Sequence, residues 1–400
     1  MASNANLLSG LDTSVCHTYY QLSYNGKLHP FPLNLLLPKI KCGVLPVNDS
    51  QHQNTTNTTA TSGKYKFIYN IILALLNFFG VYNWFYKLKV TDEFKSWLKV
   101  YNPDVIYTQL ASLELIRFVS DVKKHLNKPV AIHMMDDWPL TINKPGLFYA
   151  YWQNVIDNEF RKLLSKTEIF LSISDAMAEE YEKRYSKSSL PFHNPIDINF
   201  WKPHTAKKYA MAENFCISYA GRIGFGIANS IADIAAAVNE ISKTNKKILF
   251  EIQTGDKEAL KKLVTLNNFI KWVPPVAYNQ LPDKFSKADL LLLPQDFDEK
   301  SVKFLKYSFP TKVSEYMISG SPILVYGDKQ TGLTKYALKE NWAYVVTKSK
   351  TIHLVNAINE MIDNETLRIT LAKKAQNIAL QFEDATIVRD NFRKTLLAGQ

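Results

Sequence analysis

The residues from Ser308 to Gly320 combine a helix start, a cation and a carboxylate at a spacing that suits phosphate chemistry. Pro310 fits the first position of a helix. The free backbone amides of such a helix start can face an anion, which the helix dipole also favours. Lys312 adds a mobile cation, and Glu315, one turn further on, suits hydrogen bonds from both hydroxyl groups of a ribose. Taken singly these residues also fit an ordinary capped helix between two strands, whereas taken together they favour a site for a phosphate group.

A second polar group follows the strand predicted at residues 129–133. His133 ends this strand, and Asp136 and Asp137 come shortly after it. Side chains at the carboxyl end of a strand in an α/β sheet face the ligand crevice. The histidine suits a hydrogen bond to a substrate hydroxyl or phosphate, and the aspartates are candidates for a general base. Two adjacent aspartates also raise the question of a metal, but further carboxylate ligands are not evident, so we predict none.

Strands and helices alternate along the chain, which predicts parallel sheets covered by helices and an α/β fold. A polar loop is expected between residue 294 and the helix start near residue 310. Strands are predicted at 104–108, 129–133, 169–174, 215–219, 248–253, 269–273, 289–293, 322–326 and 343–346. Helices are predicted at 113–125, 175–185, 229–243, 257–264, 279–286, 311–319, 331–339, 351–362 and 365–398.

Two sets of alternating elements predict two Rossmann-like domains that face a cleft. Prolines and weak periodicity near residues 192–203 place the domain boundary there, so the first domain spans residues 1–203. It contains a polar stretch of low complexity at 48–63, which is expected to be a flexible loop. The second domain spans residues 204–375. Residues 376–400 end a long helix that is expected to cross back to the first domain.

The stretch 288–325 resembles the nucleotide-sugar site of glycosyltransferases with the GT-B fold, specifically the large family 4-like group. The pattern S-x-P-x-K-x-x-E-Y-x-x-x-G-x-P recurs there after a strand and a loop, as it does here from Ser308 to Pro322. The resemblance covers roughly residues 100–395 and is strongest in the second half. It implies a GT-B architecture, with two Rossmann-like domains facing a cleft.

Shorter motifs follow in the order that this family requires. Gly221 and Arg222 resemble the Gly-Arg turn after the first strand of the C-terminal domain, and the family's arginine binds the diphosphate. Val273 lies in a stretch that resembles the segment lining the nucleotide base. His133 lies where related enzymes often have a histidine close to the transferred sugar.

The resemblance implies a glycosyltransferase that moves a sugar from a UDP- or GDP-sugar to a glycan or lipid-linked acceptor, in surface polysaccharide or glycolipid synthesis. It implies retention of configuration and no metal or other cofactor. Arg222, Lys312 and the helix start at Pro310 would stabilise the leaving diphosphate. For an inverting enzyme, Asp136 or Asp137 is the candidate general base.

The sequence departs from the family pattern in three places. Many members have a pair of glutamates with seven residues between them, in the pattern E-x7-E. Here Glu315 matches the second glutamate, and Tyr307 stands in place of the first. The usual lysine after the Gly-Arg turn is absent from residues 221–229, and the first strand with its glycine-rich loop is missing from the pattern of residues 1–12. These departures motivate one alternative, a non-catalytic GT-B-like scaffold or sugar-binding subunit. A nucleotide-sugar epimerase, which can share this fold, is a second alternative.

The net charge of +11 suits phosphorylated substrates or anionic lipid, and no nucleic-acid-binding motif is present. The beginning of the chain does not resemble a signal peptide, and three scattered cysteines indicate a reducing compartment. We therefore expect a cytoplasmic protein. Residues 67–85 are uncharged, but three asparagines and Gly80 interrupt them. This favours a buried helix or one lying on the inner face of the membrane over a spanning helix.

Overall fold

A computed structural model of the protein divides into two compact units. The first comprises residues 1–134, 138–170 and 398–400, and the second residues 135–137 and 171–397. The boundary predicted between residues 203 and 204 stays a prediction, because residues 203–208 lie outside the described part of the chain. The structure describes residues 2–3, 16–22, 43–45, 71–76, 78–85, 87–141, 146–202, 209, 214–244 and 246–399.

The amino-terminal part contains two small sheets. One has the order β1-β2-β3, with β1 parallel and β3 antiparallel to β2. The other has the order β4-β5-β6-β7, in which β4 is parallel to β5 and β6 is parallel to β7. The strands are β1 (Ala2–Ser3), β2 (Tyr19–Gln21), β3 (Gly43–Leu45), β4 (Ile106–Thr108), β5 (Val130–Met134), β6 (Ile169–Ser172) and β7 (Leu190–Pro191).

Helices in the same part follow the apolar periodicity of the sequence. The core of the first unit includes Tyr20, Phe94, Leu98 and Phe118, which pack between a strand and two helices. Residues 71–76 and 78 are also helical. The remaining helices are α1 (Tyr82–Phe85), α2 (Asp92–Tyr101), α3 (Leu113–Leu126), α4 (Trp138–Thr141), α5 (Tyr149–Leu164), α6 (Asp175–Tyr185) and α7 (Ile198–Trp201).

The second unit is built on a six-stranded sheet with the order β10-β9-β8-β11-β12-β13, in which all neighbours are parallel. This order, 3-2-1-4-5-6 by position in the chain, is that of a Rossmann fold. The α/β fold class and its parallel sheets are therefore confirmed. The strands are β8 (Phe215–Ala220), β9 (Ile248–Gln253), β10 (Ile270–Val273), β11 (Leu290–Pro294), β12 (Ile323–Tyr326) and β13 (Tyr344–Val346).

Helices cover the six-stranded sheet, and its core is made of buried aliphatic and aromatic side chains such as Phe215, Ile234, Phe250 and Leu292. Tyr278–Gln280 forms a single 3₁₀ turn. The helices are α8 (Ala228–Ser242), α9 (Lys257–Leu263), α10 (Leu281–Ser286), α11 (Glu299–Leu305), α12 (Lys312–Ile318), α13 (Gly332–Glu340), α14 (Thr351–Asp363), α15 (Glu365–Ile378) and α16 (Ala385–Ala398).

Two predicted elements differ from the structure. The loop expected after residue 294 contains helix α11, because the Asp298 side chain accepts a hydrogen bond from the backbone amide of Ser301 and Leu305 is buried. The long helix predicted at 365–398 is broken by a π-helical segment, Ala379–Glu383. It breaks because Ile196 forms backbone hydrogen bonds with the Glu383 carbonyl and the Ala385 amide, which replace bonds within a helix.

The predictions at the amino terminus fall largely outside the described residues. These include the polar loop at 48–63. Of residues 1–12, where the first strand is predicted to be missing, the structure describes only the two residues of β1, so this stays a prediction. The helix expected in residues 67–85 is interrupted after residue 78, where Gly80 has a positive φ of 63°. Among the described residues, no helix has the length and apolar character needed to cross a membrane.

Candidate functional site

The candidate site lies where the strand order of the six-stranded sheet reverses, between β8 and β11. Ligands of open α/β sheets bind beside such a point, at the carboxyl ends of the strands. Gly221 and Arg222 follow β8 directly, and Gln295 and Asp296 follow β11. The Asp296 carboxylate accepts a hydrogen bond from the Ser230 amide over 2.8 Å, which fixes the start of α8 at this edge of the sheet.

Lys312 is held against the end of β8. Its ammonium group donates a hydrogen bond to the Ala220 carbonyl over 2.7 Å and lies 4.4 Å from the centre of the Tyr219 ring. Burial and the neighbouring charge of Arg222 lower the pKa of Lys312 to about 8, against an attraction from Glu315 that raises it. A partly buried cation with a lowered pKa, beside a second cation, is a candidate ligand for an anion.

Gly221 makes room for this lysine. It has a φ of 155°, and a Cβ atom there would overlap the Lys312 ammonium group and lie 2.9 Å from the Tyr219 hydroxyl oxygen. The Tyr219 hydroxyl in turn donates a hydrogen bond to the Arg222 carbonyl over 2.6 Å. The turn after β8 is therefore a close fit around a cation, and a side chain at Gly221 would disturb it.

Arg222 is exposed, and one of its guanidinium nitrogens donates a hydrogen bond to the Phe225 carbonyl over 3.1 Å. This bond holds the guanidinium at the turn and leaves its other donors for a ligand, since an arginine carries five N–H groups. Repulsion from the charge of Arg222 contributes to the lowered pKa of Lys312.

Glu315 lies one turn after Lys312 on α12 and is half-buried. Burial raises the pKa of Glu315, whereas attraction to Lys312 and a hydrogen bond with Tyr278 lower it. Tyr278 belongs to the 3₁₀ turn in the segment after β10, and its ring stacks on Phe200 with 5.3 Å between ring centres. Glu315, which is predicted to bind the ribose, therefore contacts Tyr278 in the segment that was predicted to line the nucleotide base.

The remaining predicted residues of this site lie nearby in the chain. Val273 ends β10 and is half-buried, beside Gln253 at the end of β9. Ser308 and Pro310 precede α12, which begins at Lys312. Pro310 is therefore not the first helical residue, which is a correction. Its carbonyl instead accepts a hydrogen bond from the Val313 amide, so the proline belongs to the turn leading into the helix.

Sequence reasoning missed Gln295. This side chain is 1% exposed, and its carbonyl oxygen accepts a hydrogen bond from the Thr331 hydroxyl over 2.6 Å. Its amide nitrogen has no hydrogen-bond partner among the described residues. Buried polar atoms without a partner are rare, and this one lies beside the point where the strand order reverses. The only sequence signal was its position directly after an apolar strand.

Tyr307, which stands where the resemblance predicts a glutamate, is buried between two cations. The Lys306 ammonium group lies 5.2 Å from its ring centre and the Arg184 guanidinium lies 5.8 Å from it. The Tyr307 carbonyl accepts a hydrogen bond from the Ser174 hydroxyl. These contacts give the tyrosine a place in the packing of the second unit.

His133 is buried at the end of β5 in the first unit, as predicted for a strand-end residue. Its Nδ1 atom is 2.9 Å from the Tyr107 hydroxyl oxygen, and that hydroxyl also accepts a hydrogen bond from the Gln109 amide. The hydrogen bond between Tyr107 and His133 fixes the orientation of the imidazole ring. Its role towards a substrate stays a prediction.

The two predicted aspartates have different surroundings. Both carboxylate oxygens of Asp137 bind the Arg184 guanidinium, over 2.8 and 3.1 Å, and one also accepts a hydrogen bond from the Tyr181 hydroxyl. This buried ion pair favours a structural role for Asp137. Asp136 is exposed at the level of the whole residue. Partial burial of its carboxyl group raises the pKa of Asp136. Asp136 is thus the better of the two candidates for a general base.

No cluster of three or more histidine, cysteine, aspartate or glutamate side chains within the described ranges is arranged to hold a metal ion. His193 lies between the carboxylates of Asp175 and Glu383, over 3.2 and 3.1 Å, and binds them by hydrogen bonds. The Ser314 hydroxyl donates a hydrogen bond to Glu383 over 2.5 Å, so this network reaches α12.

Comparisons with solved structures show the fold. Sucrose-phosphate synthase from Thermosynechococcus elongatus is similar with a TM-score of 0.59 at 15% identity, over 77% of each chain. HepE from Anabaena, in complex with UDP and glucose, has a TM-score of 0.56 at 16% identity, over 76% of this chain and 80% of its own. Trehalose 6-phosphate synthase from Burkholderia multivorans has a TM-score of 0.56 at 11% identity, over 76% and 73%.

These structures are GT-B glycosyltransferases, and the chain has their fold, as its motifs predicted. No protein-family model matches the chain, and no curated protein matches it in sequence. At these levels of identity the likeness concerns the fold, so the activity is argued from the site.

Proposed function

We propose that this protein is a glycosyltransferase that takes its sugar from a nucleoside-diphosphate sugar. The observation that carries this proposal is the arrangement of Gly221, Arg222, Lys312 and Glu315 at the reversal point of the Rossmann-type sheet. Two cations beside a closely fitted turn suit a diphosphate, and a half-buried carboxylate suits the two ribose hydroxyls. UDP is the first nucleotide to consider, because similar structures of HepE were determined with UDP and with UDP-glucose.

In the proposed reaction, the bond between the anomeric carbon and the β-phosphate oxygen breaks. The leaving diphosphate gains negative charge, which Arg222 and Lys312 stabilise in a site partly removed from water. The acceptor hydroxyl forms the new bond on the same face of the sugar, and its proton passes to the leaving phosphate. This is a retaining transfer that uses no metal or other cofactor. Gln295 is a further candidate ligand for the donor.

The acceptor in this proposal is a glycan or a lipid-linked sugar, and the pathway is the synthesis of a surface polysaccharide or glycolipid. The proposed location is the cytoplasm, with peripheral contact to the inner face of an anionic membrane. The net charge of +11 supports contact with anionic lipid.

Calorimetry of the full chain with a panel of nucleotides and nucleotide-sugars tests the proposal. Submillimolar affinity for one nucleoside-diphosphate sugar, lost in the Lys312→Gln variant, is the expected result. If the wild-type protein binds none of them at millimolar concentration, the enzyme proposal fails and the non-catalytic scaffold replaces it. Incubation with the preferred donor alone separates the epimerase, because an epimerase alters the sugar without any acceptor.

The inverting alternative is tested by the anomeric configuration of the product, measured by NMR. Retention supports the proposed transfer, and inversion would give the general-base role to Asp136. The variant His133→Ala is expected to lower turnover more than donor affinity. An equal loss of both would assign His133 a role in binding or structure instead.

A further inference from the structure

Two segments of the first unit expose an unusual number of large apolar side chains. In residues 71–84, the exposed ones include Phe78 and Trp84, each about half exposed at 53% and 51%. In residues 147–151, Leu147 is 64% exposed and Tyr151 is 53% exposed. We call these two segments together the apolar patch. Its other exposed members are Ile71, Leu75, Phe79 and Phe148.

The two segments form one surface, because they contact each other. The Leu147 amide donates a hydrogen bond to the Phe78 carbonyl over 2.8 Å. The Trp84 ring lies 6.5 Å from that of Phe148 and 5.8 Å from that of Trp152. Gly80 has a positive φ, and a Cβ atom there would overlap the Trp152 indole, so the backbone must approach this ring closely. The contacts hold the aromatic side chains of both segments together.

Such a grouping differs from the single apolar side chains that any protein surface carries. Contiguous exposed apolar surface in a soluble fold marks a site of contact with a membrane or another protein. None of the described helices that carry patch residues is long and apolar enough to cross a bilayer. The patch therefore suits contact with the surface of a membrane, with aromatic rings at the level of the lipid headgroups.

Charge selects an anionic membrane as the partner. No aspartate or glutamate occurs from residue 50 to residue 91, whereas this stretch contains Lys64, Lys66, Lys87 and Lys89. Residues 138–156 also contain no acidic residue and include one lysine. Lys87 and Lys89 are exposed. Cations without neighbouring carboxylates in the sequence, next to exposed aromatic side chains, complement the negative headgroups of a bilayer.

We propose that the apolar patch is the surface by which this protein docks on an anionic bilayer, with Trp84, Phe148 and Tyr151 among the lipid headgroups and Lys87 and Lys89 at the lipid phosphates. This inference rests on the peripheral membrane contact proposed above and gives that contact a surface. It does not depend on the residues of the donor site.

Co-sedimentation of the full chain with vesicles tests the docking surface. Binding to vesicles of phosphatidylcholine with phosphatidylglycerol is expected, and binding to phosphatidylcholine alone is expected to be much weaker. The double variant Leu147→Asp with Tyr151→Asp should bind the anionic vesicles about tenfold less tightly or worse, because two apolar side chains no longer enter the lipid. Both positions are on the surface, and circular dichroism checks that the variant folds.

The matched control is Val100→Asp with Ile352→Asp. Both side chains lie outside the patch and are exposed, at 89% and 57%. The two substitutions change the net charge by the same amount as those in the patch variant. This variant should keep most of the vesicle binding. The variant Lys87→Gln with Lys89→Gln should lose about fivefold per lysine. Tryptophan fluorescence should shift to the blue with vesicles, and the shift should shrink in the Trp84→Phe variant.

Two results would overturn the inference. The first is equal vesicle binding by the patch variant and the control variant. The second is self-association of the wild-type chain in sedimentation velocity without lipid, abolished by the patch variant, which would assign the patch to a second copy of this chain. UDP binding is measured on the same proteins by calorimetry. A variant that loses vesicle binding but still binds UDP has a defect in the apolar patch alone. If the wild type does not bind UDP, the proposed donor site fails, and the docking surface is not affected by that result.

Discussion

The ammonium group of Lys312 is bound to the carbonyl of Ala220 over 2.7 Å, which joins helix α12 to the end of strand β8. This bond places the cation beside the turn formed by Gly221 and Arg222. Burial and repulsion from Arg222 lower the pKa of the lysine to about 8. A bound diphosphate would oppose both effects, so the charge state of Lys312 and nucleotide binding are linked.

UDP binding is therefore expected to take up a proton at a pH slightly above 8, and affinity should fall as the pH rises further. Calorimetry in two buffers with different ionisation enthalpies measures the proton uptake. The Lys312→Gln variant should bind UDP about ten- to a hundredfold more weakly, since a hydrogen bond to a charged group contributes about 1.5–3 kcal/mol. Lys303→Gln, an exposed lysine on α11, is the control. Unchanged proton uptake in Lys312→Gln contradicts the assignment.

The Glu315→Gln variant is expected to weaken binding of UDP by roughly tenfold, because a neutral amide accepts hydrogen bonds from the ribose less strongly than a carboxylate does. The comparison that decides the role uses 2′-deoxy-UDP. If Glu315 binds the ribose, the variant should lose less affinity for the deoxy nucleotide than for UDP. Equal losses for both nucleotides would remove Glu315 from the ribose. The exposed Glu299→Gln variant serves as the control.

The Gly221→Ala variant is expected to lose most of its nucleotide affinity while remaining folded. A Cβ atom at this position would overlap the Lys312 ammonium group, which must then leave the Ala220 carbonyl. Gly224→Ala in the same turn is the matched control, because the nearest atom to its added Cβ is an arginine nitrogen 3.5 Å away. Equal UDP affinity of the two variants, measured by calorimetry, would argue against a close fit around Lys312.

The stability of the second unit is expected to fall at alkaline pH through His193. Although burial opposes the charged form, hydrogen bonds to the carboxylates of Asp175 and Glu383 raise the pKa of His193 to about 9. A raised pKa adds stability below the ordinary value of 6.5, and this contribution is lost as the pH rises through 9. The free energy of unfolding, measured with urea at pH 6 and above pH 9, should change less between the two pH values for His193→Gln than for the wild type. The exposed His125→Gln variant should behave as the wild type.

Substitutions of Asp136 and Asp137 should have different effects on the free energy of unfolding. Asp137→Asn is expected to lower the free energy of unfolding by about 3 kcal/mol, because it disrupts a buried ion pair with Arg184. Asp136→Asn changes an exposed side chain and should alter stability by less than about 0.5 kcal/mol. Urea unfolding gives both values. If Asp137→Asn is as stable as Asp136→Asn, the ion pair is not structural.

Local sequence patterns predicted most of the second unit closely. Strand β9 and helix α6 have the predicted bounds, and other strands there differ by a residue or so. The reason is physical: an apolar run bounded by proline, glycine or polar residues has few alternatives to a buried strand in a parallel sheet. The motif from Ser308 to Gly320 likewise placed Lys312 and Glu315 on one short helix, because their spacing is close to one helical turn.

The sequence by itself therefore determined the alternation of elements and the Rossmann-type second unit, and it predicted the residues of the proposed donor site. Three other features were decided only by the tertiary structure, because each depends on contacts between residues that are distant in the sequence. Arg184 engages Asp137, the Ile196 backbone breaks the last long helix at Glu383, and the Leu147 segment joins Phe78 in one apolar surface. Periodicity and spacing act over a few residues, whereas these partners are brought together only when the chain buries its core.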